Sequence, residues 1–204
     1  MPNRDAYHHG DLRRTLLAAA RDLIAERGVG AVSLRELARR AGVSHAAPAH
    51  HFTDKAGLFT ALAVEGYGLL GDTLAAASAD AGAPPAPDPG GGLALLRELG
   101  VRYVRFALAH PAHFDVMFRP ELCRETAELA AARDRTERLL RAAVPGGPTG
   151  PRAEVYSLAA WSAAHGFATL WRDGSLSPDR DGADPEELFL AAADTLFAPA
   201  PAGP

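Results

Sequence analysis

Eight histidines and a single cysteine stand out in the 204-residue chain as groups able to do chemistry. His110, His113, Asp115 and Cys123 offer a base, an orienting carboxylate and a nucleophile. Their spacing matches no arrangement of that kind, and no glycine-rich phosphate loop accompanies them. His45, His50 and His51 do not make a metal site, because His50 and His51 diverge on a helix and no acid or cysteine is spaced to join them. Catalysis, a metal and a cofactor are therefore not expected. Those three histidines do share a short stretch with Ser33, Arg35, Ser44, Ala46, Ala47 and Lys55. Hydroxyls, imidazoles and cations beside small apolar groups suit phosphate oxygens and base edges in double-stranded DNA.

A net charge of −4 argues against such a partner until it is divided by region. Residues 1–60 carry nine Lys and Arg against six acids, a surplus of +3, while the remainder stands at −7. A basic head on an acidic body is the layout of a DNA reader.

The elements that must hold these residues follow from periodicity and caps. Leu12, Leu16, Leu17, Ala20, Leu23 and Ile24 repeat at helical spacing up to Gly28. Ser33-Leu34-Arg35-Glu36 fits a capping box, which predicts a second helix from Leu34 to about Ala41. Gly42-Val43-Ser44 supplies a turn and a new N-cap, predicting a third helix over His45–Phe52. Two short helices joined this way form a helix-turn-helix over 33–53, with Leu34, Leu37, Ala38, Val43 and Phe52 holding it together. The N-termini of the second, third and fourth helices offer N–H groups to phosphates.

Asp54 caps a long fourth helix to about Ala79 that links the head to the body. Gly82–Gly92 reads as a mobile loop, Leu93–His110 as a helix, Pro111–Phe118 as a short one and Pro120–Val144 as another. Pro145–Pro151 breaks the chain before a helix over Arg152–Arg172, and Asp184-Pro185-Glu186-Glu187 opens a last one to Phe197. No alternating strand occurs, so the expected fold is all-α. The three-helix head occupies 11–71, a helical ligand-binding and dimerisation domain 72–198, and a disordered tail 199–204. The lone Cys123 allows no internal disulfide, and no run is apolar enough for a membrane span or signal peptide, so a cytoplasmic location is expected.

The run Ala31 to Leu58 resembles the DNA-binding head of tetracycline-repressor-type (TetR family) regulators, and the match extends over about 11–71. The resemblance implies that Ser33, Ser44, His51 and Lys55 meet the phosphate backbone while His45, Ala46 and Ala47 face base edges. It departs at Ala49, where the family usually has an aromatic residue on phosphate. Trp161-Ser-Ala-Ala-His165-Gly166 resembles the Trp-His-Gly signature of one C-terminal domain type attached to such heads. That implies a homodimer through the last two helices and a small-molecule effector, largely apolar, governing a repressor on a palindromic operator. A pocket for it is expected around Tyr103, Phe106, His110, Phe114, Met117 and Phe118, closed by Trp161 and His165. The alternative is a helical small-molecule-binding protein whose head reads DNA weakly or not at all, suggested by Ala49 and the modest +3.

Overall fold

The computed structural model describes residues 4–80, 91–144, 151–176 and 182–197, and among these the chain is helical with no strand. The helices are α1 (Arg4–Arg27), α2 (Leu34–Ala41), α3 (Ala47–Phe52), α4 (Lys55–Asp80), α5 (Gly91–Ala109), α6 (Pro111–Met117), α7 (Ala127–Ala142), α8 (Pro151–Arg172) and α9 (Pro185–Phe197). Most of the expected loop at 82–92, the breaker at 145–151 and the tail at 199–204 lie outside the described residues.

Leu16, Leu17, Ala20, Leu23 and Ile24 are buried on one face of α1, and the Gly28 N–H bonds the Ile24 carbonyl at 2.7 Å to close the helix. The helix starts at Arg4, two turns before the expected Leu12. α2 keeps its expected bounds because both ends are chemically fixed. The Glu36 N–H donates to Ser33 Oγ at 3.2 Å, and Gly42, in the left-handed region at φ 66°, returns its N–H to the Ala38 and Arg39 carbonyls. The reciprocal half of the capping box does not form. The Glu36 carboxylate instead takes Arg39 at 2.7 and 2.9 Å, a shorter reach along one helix face.

α3 starts at Ala47, two residues later than expected, with Ala46 rather than Ser44 in the cap position and no side-chain cap. Pro48 explains the shift. A helix capped at Ser44 would need its first internal hydrogen bond from residue 48, which has no N–H. Starting at Ala47 places Pro48 in the first turn, where no donor is needed, and His50 makes the first bond, to Ala46 O at 3.2 Å. Pro120, expected to open a long helix, opens only the 3₁₀ turn Pro120–Leu122. Cys123 is extended, and α7 begins after Thr126, whose Oγ1 accepts the Leu129 N–H at 3.1 Å.

Two compact units result. The first takes the chain up to Gly68 together with His110–Arg133, and the second takes Leu69–Ala109 and the residues from Asp134 onward. These units do not divide at residue 71 alone: α6 and the 3₁₀ turn fall in the first unit with the helix-turn-helix. Tyr67 Oη donates to the Met117 carbonyl at 3.2 Å, and a Cβ on Gly66 would lie 2.9 Å from Met117 Cγ, so α4 and α6 approach closely.

Glu65 of α4 pairs with Arg21 of α1 and faces the buried His113 of α6, whose Nε2 stands 3.6 Å from Glu65 Oε1, an electrostatic contact too long for a hydrogen bond. The His113 imidazole, then Arg21, hold the Glu65 carboxyl below its ordinary 4.5 against the opposing effect of burial. A carboxylate whose pKa is lower folded than unfolded adds stability above the unfolded value and loses it as pH falls through the folded one. Glu65→Gln is therefore expected to lower the urea midpoint at pH 7. Its difference from the parent chain should shrink below about pH 4, and a difference that does not vary with pH overturns this role.

Candidate nucleic-acid interface

Leu37, Ala38, Pro48 and Phe52 are buried and hold α2 against α3, with Leu34 and Val43 half-buried at the seam. Ser33, Arg35, Ser44, His45, Ala46, His50 and Lys55 are exposed, and Ala47 and His51 are partly so. The nine residues therefore share one helix-turn-helix and its flanks. His45 and Ala46 occupy the turn before α3 rather than its first helical positions, Ala46 already in helical conformation at φ −80°, ψ −23°. Ala49 is exposed with them.

The charge of this surface is less than the region count suggests. Arg40 is paired with Glu26, and Arg39 with Glu36. The Arg40 and Arg39 partners hold the Glu26 and Glu36 carboxyls below the ordinary range. Arg13 lies over the Phe52 ring at 5.7 Å and steadies the end of α3. Among the described residues no carboxylate pairs with Arg35 or Lys55, so these two carry the outward charge. Lys55 Nζ stands 5.4 Å from the Phe59 ring centre, which directs it along α4.

Two helix N-termini are already occupied. The Ser33 Oγ accepts the Glu36 N–H, leaving its hydroxyl proton to donate outward, and Asp54 Oδ1 accepts the Gly57 N–H at 2.9 Å. Between α3 and α4 the chain turns through Thr53, a non-glycine residue at φ 68°, ψ −56°, with the Asp54 N–H donating to Phe52 O at 2.7 Å. This three-residue turn is a strained conformation that persists only where its surroundings enforce it.

Residues 16–62 match the model of bacterial regulatory proteins of the tetR family, and residues 96–196 match the tetracyclin repressor-like C-terminal domain. The chain belongs to the TetR family. A solved protein of unknown function from Rhodococcus sp. RHA1 is 36% identical, with a TM-score of 0.74, over 93% of this chain and 95% of that one. The TetR family regulator PfmR from Thermus thermophilus shares the fold at 23% identity and a TM-score of 0.62, over 93% of this chain and 97% of its own. AibR, solved in complex with isovaleryl coenzyme A and operator DNA, shares it at 18% identity and a TM-score of 0.61, over 92% and 98% of the two chains. Among curated proteins, none matches the chain.

In this TetR-family chain the residues expected to line one pocket fall into two groups. His110, Phe114, Met117 and Phe118 belong to the first unit, where Phe114 meets Phe118 at 5.2 Å between ring centres and Phe118 meets Tyr67 at 6.0 Å. Tyr103, Phe106, Trp161 and His165 belong to the second unit. Within the first unit, α6 packs on α1 and α4. Within the second unit a cavity of about 20 Å³, room for about one water, is lined by Leu96, Leu99, Tyr103, Leu140, Trp161 and Phe189. Tyr103 Oη and His165 Nδ1 are 2.8 Å apart, and Trp161 stacks on His165 at 5.3 Å. Burial pushes the His165 pKa down, so the imidazole is neutral at pH 7. Phe106 is buried and does not line the cavity.

Burial, then the nearby Glu121 and Glu125, push the Cys123 thiol up, the opposite of an activated nucleophile. The chain is a DNA-binding transcriptional regulator with a tetracyclin repressor-like C-terminal domain. No described helix is long and apolar enough to cross a membrane.

Proposed function

We propose that the chain is a cytoplasmic, ligand-responsive repressor that binds a palindromic operator as a homodimer formed through α8 and α9. The observation that carries this reading is the location of the exposed large hydrophobic side chains. Among the described residues Val155, Leu158, Trp161, Leu170 and Leu196 are the strongly exposed ones, and all five lie on α8 or α9. At 100° per residue, Val155, Leu158, Gly166 and Leu170 fall within about 120° of the α8 circumference. A Cβ on Gly166 would meet no atom of its own chain within 4 Å, so its smallness serves no packing inside the monomer. A concentrated apolar stripe with a thin centre suits a second copy of the same face.

Two copies present two heads, and a two-fold pair of heads reads an inverted repeat. Repression follows from occupancy of DNA, and a small molecule that prefers the non-binding conformation of the body relieves it. The fold shared with AibR, a protein solved with both an acyl-coenzyme A and operator DNA, supports an effector site in the body. Tyr103, Trp161 and His165 are its residues in the second unit, the cavity between Tyr103 and Trp161 widening to admit it.

Within the head, Ser33, Ser44, His51 and Lys55 serve the phosphate backbone, Arg35 and His50 flank them, and His45, Ala46 and Ala47 serve base edges. Lys55→Ala tests the assignment. Binding to all duplexes should weaken and the slope of log affinity against log salt should fall by about one. An unchanged slope removes Lys55 from the phosphate set.

A further inference from the structure

Arg124, in the extended segment between the 3₁₀ turn and α7, lies 70 residues from Asp54 in sequence and yet holds the turn that follows the reading helix. Its guanidinium pairs with Asp54 Oδ2, while Asp54 Oδ1 accepts the Gly57 N–H. Its backbone N–H donates to Thr60 Oγ1 at 2.8 Å, and the Thr60 hydroxyl donates to the Ala56 carbonyl at 2.8 Å. Thr60 is 8% exposed, so this pair of bonds is shielded from water, whereas the Arg124–Asp54 pair is half-exposed and contributes little by itself. Asp54 also supplies the N–H that closes the strained turn at Thr53. The later chain segment is therefore fastened to the residue that fixes both the end of α3 and the start of α4.

We propose that Thr60 is a positioning residue for DNA reading: by holding Arg124 it braces Asp54 and keeps the Thr53 turn, and hence α3, in the reading arrangement. The proposal rests on the DNA-reading role of the head. Thr60 touches no DNA in this role, so it acts on geometry and not on charge.

The test uses the full chain and duplexes enriched by it from a random-sequence pool, with a scrambled duplex as the non-specific probe. Thr60→Val keeps the volume and removes the hydroxyl. It should bind the enriched duplex about fivefold more weakly, with the salt slope and the scrambled-duplex affinity unchanged, and Thr60→Ser should restore binding. Arg124→Gln should give a smaller loss, also at unchanged slope. That second variant keeps the proposal testable if Thr60→Val fails to fold. Thr60→Val equal to the parent, or equal losses on both duplexes, overturns the proposal, as does a slope reduced by about one in Arg124→Gln, which makes Arg124 a phosphate contact. A parent chain that enriches no sequence removes the DNA-reading premise and the proposal with it.

Discussion

Gly57→Ala is expected to destabilise the chain by about 2–4 kcal/mol, although the same change inside a helix ordinarily stabilises by about 1 kcal/mol. A Cβ at residue 57 would overlap the carbonyl oxygen of Phe52 and crowd its carbonyl carbon at 3.1 Å. Both are backbone atoms at the end of α3, so no rotamer change relieves the contact. The Thr53 turn must open or α4 must start elsewhere, and either change loses the Asp54 cap. Gly68, further along the same helix, is the matched control, since a Cβ there meets nothing within 4 Å. Gly68→Ala should therefore raise stability by a few tenths to about 1 kcal/mol. Urea unfolding of the two variants, together with binding to an enriched duplex, checks both signs. A neutral Gly57→Ala would mean that the Phe52–Gly57 approach is not a constraint.

Placing two carboxylates in the α8 stripe should have the largest effect on operator affinity. In a Val155→Asp, Leu158→Asp chain the stripe that is 65% and 60% exposed at these two positions becomes charged, while few contacts within the monomer are lost. If the stripe is the homodimer face, two like-charged copies must meet there without water, and association fails. Two linked heads gain about 10²–10⁴ in avidity over one, so the monomer should bind a palindromic duplex at least about 100-fold more weakly. Its affinity for a single half-site should stay close to the parent's. Sedimentation gives the mass and fluorescence anisotropy the affinity. A variant that remains dimeric places the interface elsewhere.

The features legible in the sequence are those fixed by local chemistry. The ends of α2 were readable because Ser33 and Gly42 act on groups a few residues away, and Asp184 similarly marks α9 by accepting the Glu186 N–H at 2.8 Å. α3 starts two residues later than a cap at Ser44 implies, because Pro48, four residues after Ser44, lacks the donor that such a cap requires. Pro120 looked like the opening of a helix, and the competing cap at Thr126 decided the matter. The candidate pocket residues divide between the two units, Tyr103 and Phe106 in the second and His110 to Phe118 in the first, because helical spacing says nothing of the break at Pro111 and only long-range packing determines which unit each residue joins. Arg124 carried no signal at all. An arginine between two acids in an irregular stretch acquires its role from Thr60, 64 residues away.

The head of this regulator is assembled from two stretches of chain, and α6 with Arg124 is part of it. Exchanging heads between related regulators by cutting near residue 71 would thus leave behind the portion that packs Tyr67 and Gly66 and fastens Asp54. A head moved as a whole compact unit therefore includes residues 110–133. In sequence those residues lie between α5 and the later part of α7, so the exchange takes cuts at more than one place in the chain.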